Sequence, residues 1–193
     1  MCARINRMDW YLVGHEWASD LLRGQLARGE QRHAYLITGP RSAGKRTLAI
    51  RFAQALNCTN PPEPGSPCQQ CRTCLQTEKF QLPDLSVIEG SDDASIKVEQ
   101  IRELGRTLAL TPYASKTRVA LLLNFDSATV SAQNALLKTL EEAPPKVVLV
   151  ITALSSDSLL PTIVSRCEII RLRRTPAELI AGKLARDWQV PPE

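Results

Sequence analysis

The stretch that decides the fold is the glycine-rich segment Gly39-Pro40-Arg41-Ser42-Ala43-Gly44-Lys45. It follows an apolar run at Ala34–Ile37, and it precedes a segment in which Leu48, Phe52 and Leu56 recur at helical spacing. A glycine-rich loop between a strand and a helix can wrap phosphate groups with its backbone amides. The segment therefore predicts a phosphate-binding loop with Lys45 on the β- and γ-phosphates, against the alternative of a chance glycine turn.

Apolar runs bounded by turn residues recur along the chain, and segments with helical spacing separate them. The runs are Ala34–Ile37, Val87–Ile88, Val119–Leu123, Val147–Thr152 and Ile169–Leu172. Such alternation of strand and helix is typical of a parallel sheet that helices cover. The sequence predicts an α/β fold with a five-stranded parallel sheet and helices on both faces.

The composition of the 193 residues, 44% hydrophobic and 23% charged, is typical of a soluble globular protein. No apolar run is long enough for a membrane span, and residues 1–9 lack the apolar core of a secretory signal. We therefore expect a cytoplasmic protein with reduced cysteines. The net charge of +4 is too small to indicate nucleic-acid binding by itself. Four arginines crowd one segment, either as a solvated edge or as a surface for an anionic partner: Arg166, Arg171, Arg173 and Arg174.

The phosphate loop departs from the usual pattern at the position after Lys45. A serine or threonine hydroxyl is needed there to hold magnesium, but the residue is Arg46, and Thr47 comes one position late. One step along a helix turns a side chain by roughly 100°, so Thr47 does not simply replace the missing hydroxyl. We expect ADP or ATP to bind weakly or not at all, and ATP hydrolysis to be inefficient.

The strand that should carry the second set of catalytic residues is also altered. Leu123 and Asn124 stand at its end, where an acidic pair would coordinate magnesium and orient the attacking water. Leucine cannot ligate a metal, and asparagine cannot act as a base. Asp126 lies two or three residues beyond the required place, and we interpret it as a helix or turn residue. Both defects predict the same loss of hydrolysis.

Four cysteines lie in the proline-rich loop that interrupts the helix after Gly44: Cys58, Cys68, Cys71 and Cys74. Reducing conditions make disulfides a poor explanation, and two-residue gaps allow thiolates to converge on one ion. The array therefore predicts a structural zinc site, because four thiolates leave no open position for catalysis. Cys2 and Cys167 fall outside the spacing and are expected to be free thiols.

Several segments in this order resemble the bacterial DNA polymerase III clamp-loader family of AAA+ ATPases. They are His33-Ala34-Tyr35-Leu36 before the phosphate loop, the four-cysteine insertion, the stretch Asn134–Glu142, and Ser165-Arg166-Cys167. The resemblance implies a subunit that works with gamma/tau and delta subunits and, through the complex, with a sliding clamp and primed DNA.

The resemblance also implies roles for individual residues. Within the family, gamma/tau subunits resemble active ATPases, whereas delta-prime resembles a stator with eroded catalytic motifs; Arg46, Leu123 and Asn124 favour the delta-prime type. Arg166 matches the arginine finger that reaches a neighbour's γ-phosphate in trans, with a plain surface arginine as the alternative. Thr152 matches the first nucleotide sensor, although its hydroxyl can instead cap a strand end.

The family pattern divides the chain into an N-terminal extension at residues 1–9, an AAA+ domain at 10–174 with a zinc insertion at 58–74, and the start of a truncated helical lid at 175–193. The missing remainder suggests a fragment or a shortened gene product. Two other functions stay open at this point. One is an active gamma/tau-type ATPase with unusual magnesium ligation, and the other is a P-loop kinase with a structural zinc finger.

Overall fold

The computed structural model describes residues 10, 12–91, 93–142 and 144–188, with side chains as far as residue 185. The helices are α1 (Glu16–Arg28), α2 (Lys45–Asn57), α3 (Arg72–Glu78), α4 (Val98–Leu108), α5 (Val130–Glu141), α6 (Pro161–Val164) and α7 (Ala177–Trp188). The strands are β1 (Ala34–Thr38), β2 (Leu85–Glu89), β3 (Arg118–Leu123), β4 (Val147–Ala153) and β5 (Glu168–Arg171). The N-terminal extension predicted at residues 1–9 lies outside the described residues.

The five strands form one parallel sheet in the order β2-β3-β4-β1-β5, which confirms the predicted sheet. The three central strands, β3, β4 and β1, are buried along their whole length. The edge strands β2 and β5 are partly exposed. This difference explains why the central strands read as unbroken apolar runs, since a strand covered on both faces has no solvated side.

Helices pack on both faces of the sheet, as the sequence predicted. Alternate residues of β1 point to opposite faces: Tyr35 packs in one apolar cluster with Phe52 of α2, and Leu36 packs in the other with Leu104 of α4 and Leu136 of α5. Tyr35 and Phe52 meet edge-on with ring centroids 4.7 Å apart. The α2 helix thus lies against the centre of the sheet, directly after the phosphate loop.

A buried ion pair fixes the end of the sheet opposite the phosphate loop. Arg118 donates from Nη2 to Oδ1 of Asp84 at 3.1 Å, and the two side chains are 7% and 0% exposed. The Asp84 carboxylate also accepts the backbone N–H groups of residues 113–115 at 2.7–2.8 Å. Burial opposes ionisation of Asp84, but these hydrogen bonds hold its pKa below the usual 3.8. The pair therefore orders the loop between α4 and β3.

The α2 helix ends at Asn57, where the proline-rich segment was predicted to interrupt it. The chain then turns through the cysteine-containing loop and forms the short helix α3, which the sequence analysis did not predict. Gln54 of α2 donates from Nε2 to the carbonyl oxygen of Cys74 at 2.8 Å, so the loop is anchored to the core helix. Among the described residues, no helix has the length and apolarity needed to cross a bilayer.

Candidate phosphate-binding cavity and metal centre

A cavity of about 640 Å³ opens at the C-terminal ends of β1, β3 and β4. It is lined by Arg41, Ser42, Ala43, Gly44, Lys45, Arg46, Thr47, Glu89, Gly90, Ser91, Leu123, Asn124, Asp126, Ser127, Thr152 and Leu154. Ligands of open α/β sheets bind at this edge, because the strand-to-helix loops converge there. The structure thus gathers the predicted residues at 41–47 and Thr152 around one cavity.

Two glycines give the phosphate loop its path. Gly39 has φ 155°, and a Cβ there would lie 2.6 Å from the carbonyl oxygen of Leu172. Gly44 has φ 87°, and a Cβ there would lie 2.9 Å from a methyl group of Leu12. Both positions therefore favour glycine for their backbone conformation, and Gly39 also requires it for space, because its neighbour is a backbone atom. The loop packs closely against Leu172 and Leu12, and the N-terminus of α2 lies at the cavity.

The side chain of Lys45 folds back against the phosphate loop that precedes it. Its side chain is buried, and Nζ donates to the carbonyl oxygens of Gly39 at 2.6 Å and Pro40 at 2.7 Å. Burial lowers the pKa of Lys45, and the nearby carboxylate of Asp126 partly opposes this shift. The ammonium group is therefore held at the cavity by loop carbonyls, where it can bind an anion.

Arg46, at the position of the missing hydroxyl, makes an ion pair with Glu89 at the end of β2. Its guanidinium carbon also lies 5.3 Å from the ring centroid of Phe80, a cation–π contact. Thr47 lines the same cavity. Glu89 was not singled out from the sequence, because nothing in a strand-ending glutamate indicates that the first turn of α2 carries its partner.

The end of β3 lacks the acidic pair that nucleotide hydrolysis needs, as expected from its sequence. Leu123 is buried, with 1% of its surface exposed, and Asn124 has a left-handed backbone conformation with φ 53°. Asn124 donates from Nδ2 to the carbonyl oxygen of Gly90 at 3.1 Å, and its backbone N–H donates to Oγ1 of Thr152 at 2.9 Å. The Thr152 hydroxyl therefore connects the ends of β3 and β4, and its role as a nucleotide sensor stays a prediction.

Asp126 lies in a short 3-10 helix, Phe125–Ser127, in agreement with its interpretation as a turn residue. Its Oδ1 accepts the backbone N–H of Leu154 at 3.1 Å, and the residue also lines the cavity. We did not expect Asp126 to face the cavity. The reason is that the left-handed Asn124 redirects the chain, an effect that residue spacing alone does not reveal.

The four cysteines predicted to bind zinc come together, with their sulfur atoms all within 4.8 Å of one another. Four ligands about 2.3 Å from a tetrahedral ion lie about 3.8 Å apart, and the sulfurs of Cys68 and Cys74 are separated by 4.0 Å. Cys58, Cys68 and Cys74 are buried, and Cys71 is partly exposed. The donor set therefore fits a zinc ion in four-thiolate coordination.

Backbone hydrogen bonds support thiolates in this cluster. The N–H groups of Cys68 and Cys71 donate to the sulfurs of Cys58 and Cys68 at 3.3 and 3.2 Å. Burial opposes ionisation of Cys71, but hydrogen bonds from Thr59 and from the N–H of Cys74 lower its pKa to about 6. Burial raises the pKa values of Cys58 and Cys74. Metal binding must therefore displace protons from these two thiols.

Arg166 lies away from the cavity lining, directly after α6. Its Nη1 donates to the carbonyl oxygen of Thr162 at 2.9 Å, and its Nη2 donates to Oε1 of Glu141 at 2.7 Å. The side chain keeps 37% of its surface exposed. The structure thus separates Arg166 from its own chain's phosphate loop, while the other three arginines of the segment, Arg171, Arg173 and Arg174, are also exposed.

The model of the family described as "DNA polymerase III, delta subunit" matches residues 14–176. The chain belongs to this family. The predicted membership of the clamp-loader group is therefore confirmed, and the match covers the sheet, the cavity, the cysteine cluster and Arg166.

Individual curated proteins that resemble the chain are also DNA polymerase III subunits. The chain is 36% identical over 154 residues to DNA polymerase III subunit delta' of Pseudomonas aeruginosa, covering 79% of this chain and 47% of the relative. It is 30% identical over 173 residues to DNA polymerase III subunit tau of Bacillus subtilis, covering 90% and 30%. The chain thus spans between 30% and 47% of the length of these curated relatives.

Solved structures show the same fold. A DNA polymerase III gamma subunit-related protein from Thermotoga maritima has a TM-score of 0.64 at 20% identity, over 89% of this chain and 55% of its own. The Holliday junction branch migration motor RuvB of the same organism has a TM-score of 0.55 at 18% identity, over 90% and 50%. Both likenesses concern the fold alone, and they agree with the predicted AAA+ architecture.

Proposed function

We propose that the chain is a clamp-loader subunit of the delta-prime type, which does not hydrolyse ATP efficiently and supplies Arg166 to a neighbouring ATPase subunit. Its partners are gamma/tau and delta subunits, and through the complex it acts on a sliding clamp and primed DNA during replication. The AAA+ domain comprises residues 10–174 with the zinc insertion at 58–74, and residues 175–193 begin a helical lid.

The observation that carries the proposal is the contrast between the chain's own cavity and Arg166. The cavity has Arg46 in place of a magnesium-binding hydroxyl, and it has buried Leu123 and tethered Asn124 in place of an acidic pair. Arg166, by contrast, is partly exposed and held by Glu141 outside that cavity. A guanidinium in this position can stabilise charge on a phosphoryl group that another subunit binds.

The zinc ion proposed for the cysteine cluster has a structural role. Cys58 follows α2 directly, Cys74 belongs to α3, and the segment between them is polar and rich in proline. A segment with so few apolar side chains cannot order itself by burying a core of its own, so coordination supplies the free energy that fixes it.

An active gamma/tau-type ATPase is the competing function, and one observation favours it. Two carboxylates, those of Glu89 and Asp126, line the cavity, although neither stands at the expected strand-end position. Either one is a possible magnesium ligand or general base. In the structure, however, Glu89 is engaged by Arg46, and Asp126 accepts the backbone N–H of Leu154.

Reconstitution with partner subunits tests the proposed function. The chain alone should release phosphate from ATP no faster than its Lys45→Ala variant. Added to gamma/tau and delta subunits, it should join the complex and raise clamp-dependent ATP turnover. Phosphate release by the chain alone that disappears in the Lys45→Ala variant would establish the active-ATPase alternative instead.

A further inference from the structure

A cation stands at the cavity edge where a magnesium-binding hydroxyl would be needed. Arg46 belongs to the first turn of α2 and lines the cavity next to Lys45. The dipole of a helix favours anions at its N-terminus and disfavours cations there. Arg46 therefore needs a compensating negative charge, and the carboxylate of Glu89 provides it in the structure.

The Arg46–Glu89 pair is exposed enough to exchange partners. The two side chains keep 48% and 42% of their surface exposed, and an ion pair with this much solvent contact is only weakly stabilising. The ring centroid of Phe80 lies 5.3 Å from the guanidinium carbon, a cation–π contact that does not depend on Glu89. Phosphate oxygens, which arginine binds through paired hydrogen bonds, can therefore displace the Glu89 carboxylate.

The charges around the cavity suit a polyphosphate better than a metal complex. Among the residues that the structure describes, three cations line it, namely Arg41, Lys45 and Arg46, against the two carboxylates of Glu89 and Asp126. The backbone amides at the start of α2 add further positive potential. At the end of β3, Leu123 offers no metal ligand, and Asn124 is tied to the carbonyl oxygen of Gly90.

We propose that this cavity binds a nucleoside di- or triphosphate without magnesium, with the Arg46 guanidinium in the role of the metal ion. The inference rests on the phosphate loop of the proposed function and specifies what that loop binds. On binding, Arg46 leaves Glu89 and donates to the terminal phosphate oxygens beside Lys45. Magnesium competes with Arg46 for the same oxygens, so it weakens the affinity instead of raising it.

Calorimetric titration of ATP into the chain, once with excess EDTA and once with excess magnesium, tests this proposal. We expect affinity about tenfold higher in EDTA, about the effect of one hydrogen bond to a charged group. The Arg46→Thr variant should lose about tenfold in EDTA and lose the preference for metal-free ATP. Glu89→Gln should bind metal-free ATP more tightly, because Arg46 no longer has a competing carboxylate.

The matched control is Arg106→Thr, which removes an exposed helical arginine that pairs with Glu103 at 3.0 Å outside the cavity lining. Its affinities should equal those of the unchanged chain. Binding that needs magnesium, binding that Arg46→Thr leaves unaltered, or no ATP binding in either buffer would each overturn the proposal. These results leave the proposed role of Arg166 untouched, because that role is measured as ATP turnover at a neighbouring subunit.

Discussion

Arg166 and Glu141 are joined by a 2.7 Å ion pair between Nη2 and Oε1, which links the end of α5 to the segment after α6. The same two elements meet again at the start of α6, where Gln133 of α5 accepts the backbone N–H of Leu160 at 2.9 Å. The α5 helix thus determines both the placement of the α6 segment and the direction of the guanidinium at its end. This arrangement gives Glu141 a positioning role.

Replacing Glu141 with alanine should lower ATP turnover at the neighbouring subunit by less than replacing Arg166 does. The charge of Arg166 would remain, but its guanidinium would lose one of the two contacts that orient it. Glu142→Ala is the matched control, because this exposed glutamate follows Glu141 directly. Equal ATP turnover in the Glu141→Ala and Glu142→Ala variants would show that Glu141 does not position Arg166.

Elemental analysis of the purified chain should find about one zinc ion per molecule. The Cys71→Ser variant should lose the metal and loosen the Cys58–Cys74 loop, while the sheet stays folded because its apolar clusters form elsewhere. Proteolysis within residues 58–74 is the readout for the loop. Cys167→Ser, at a cysteine outside the cluster, should keep both the zinc and the protease resistance.

Acid should release this zinc, because protons compete with the metal for the sulfurs. Burial raises the pKa values of Cys58 and Cys74, so these thiols take up protons readily once coordination is disturbed. Zinc release measured with a chromogenic chelator should therefore increase as pH falls below neutrality. A metal content that stays constant down to the pH of global unfolding would contradict four-thiolate coordination.

Much of the fold could be predicted from the sequence, because the buried strands are unbroken apolar runs and the phosphate loop separates a strand from a helix. The cysteine cluster could also be predicted, because its four ligands lie within one short segment whose spacing is visible in the sequence. The Arg46–Glu89 and Asp84–Arg118 pairs could not, because each joins residues 34 or more positions apart whose meeting depends on sheet order. The orientation of Asp126 toward the cavity could not be predicted either, because it depends on the left-handed backbone conformation of one residue, Asn124.

Breaking the Asp84–Arg118 pair by removing one partner should strongly destabilise the chain. Removing one charge of a buried pair leaves the other uncompensated, so Asp84→Asn should lower the free energy of unfolding by about 3–5 kcal/mol. Asp20→Asn, which removes an exposed pair with Arg23, should cost less than about 1 kcal/mol. Urea denaturation at neutral pH distinguishes the two variants, and similar costs would show that the buried pair is not important.

Asp84 should also make the free energy of unfolding depend on pH. Its pKa lies below 3.8 in the folded chain, so the unfolded chain binds the proton more readily. The stabilisation is therefore complete above the unfolded pKa, and it is lost as pH falls through that value toward the folded pKa. Urea denaturation at a series of acidic pH values should show a steeper loss for the unchanged chain than for Asp84→Asn.

Restoring threonine at position 46 should fail to restore ATP hydrolysis. The substitution returns a magnesium-binding hydroxyl, but Leu123 and Asn124 still offer neither a second ligand nor a base. Steady-state phosphate release by Arg46→Thr should therefore equal that of the unchanged chain. Appreciable turnover in this variant would show that Glu89 or Asp126 can serve as the missing acidic group.

The most direct test of the account is single-site ATP turnover at the gamma subunit next to this chain in the reconstituted complex. Arg166→Ala should lower that turnover by a factor within the roughly 10³–10⁵ that arginine fingers contribute in phosphoryl transfer, and it should leave the fold and zinc content unchanged. Arg166→Lys should rescue poorly, because an ammonium group cannot reproduce the planar guanidinium fork. Turnover at that site that remains unchanged with alanine at position 166 would contradict the account and leave Arg166 a surface arginine.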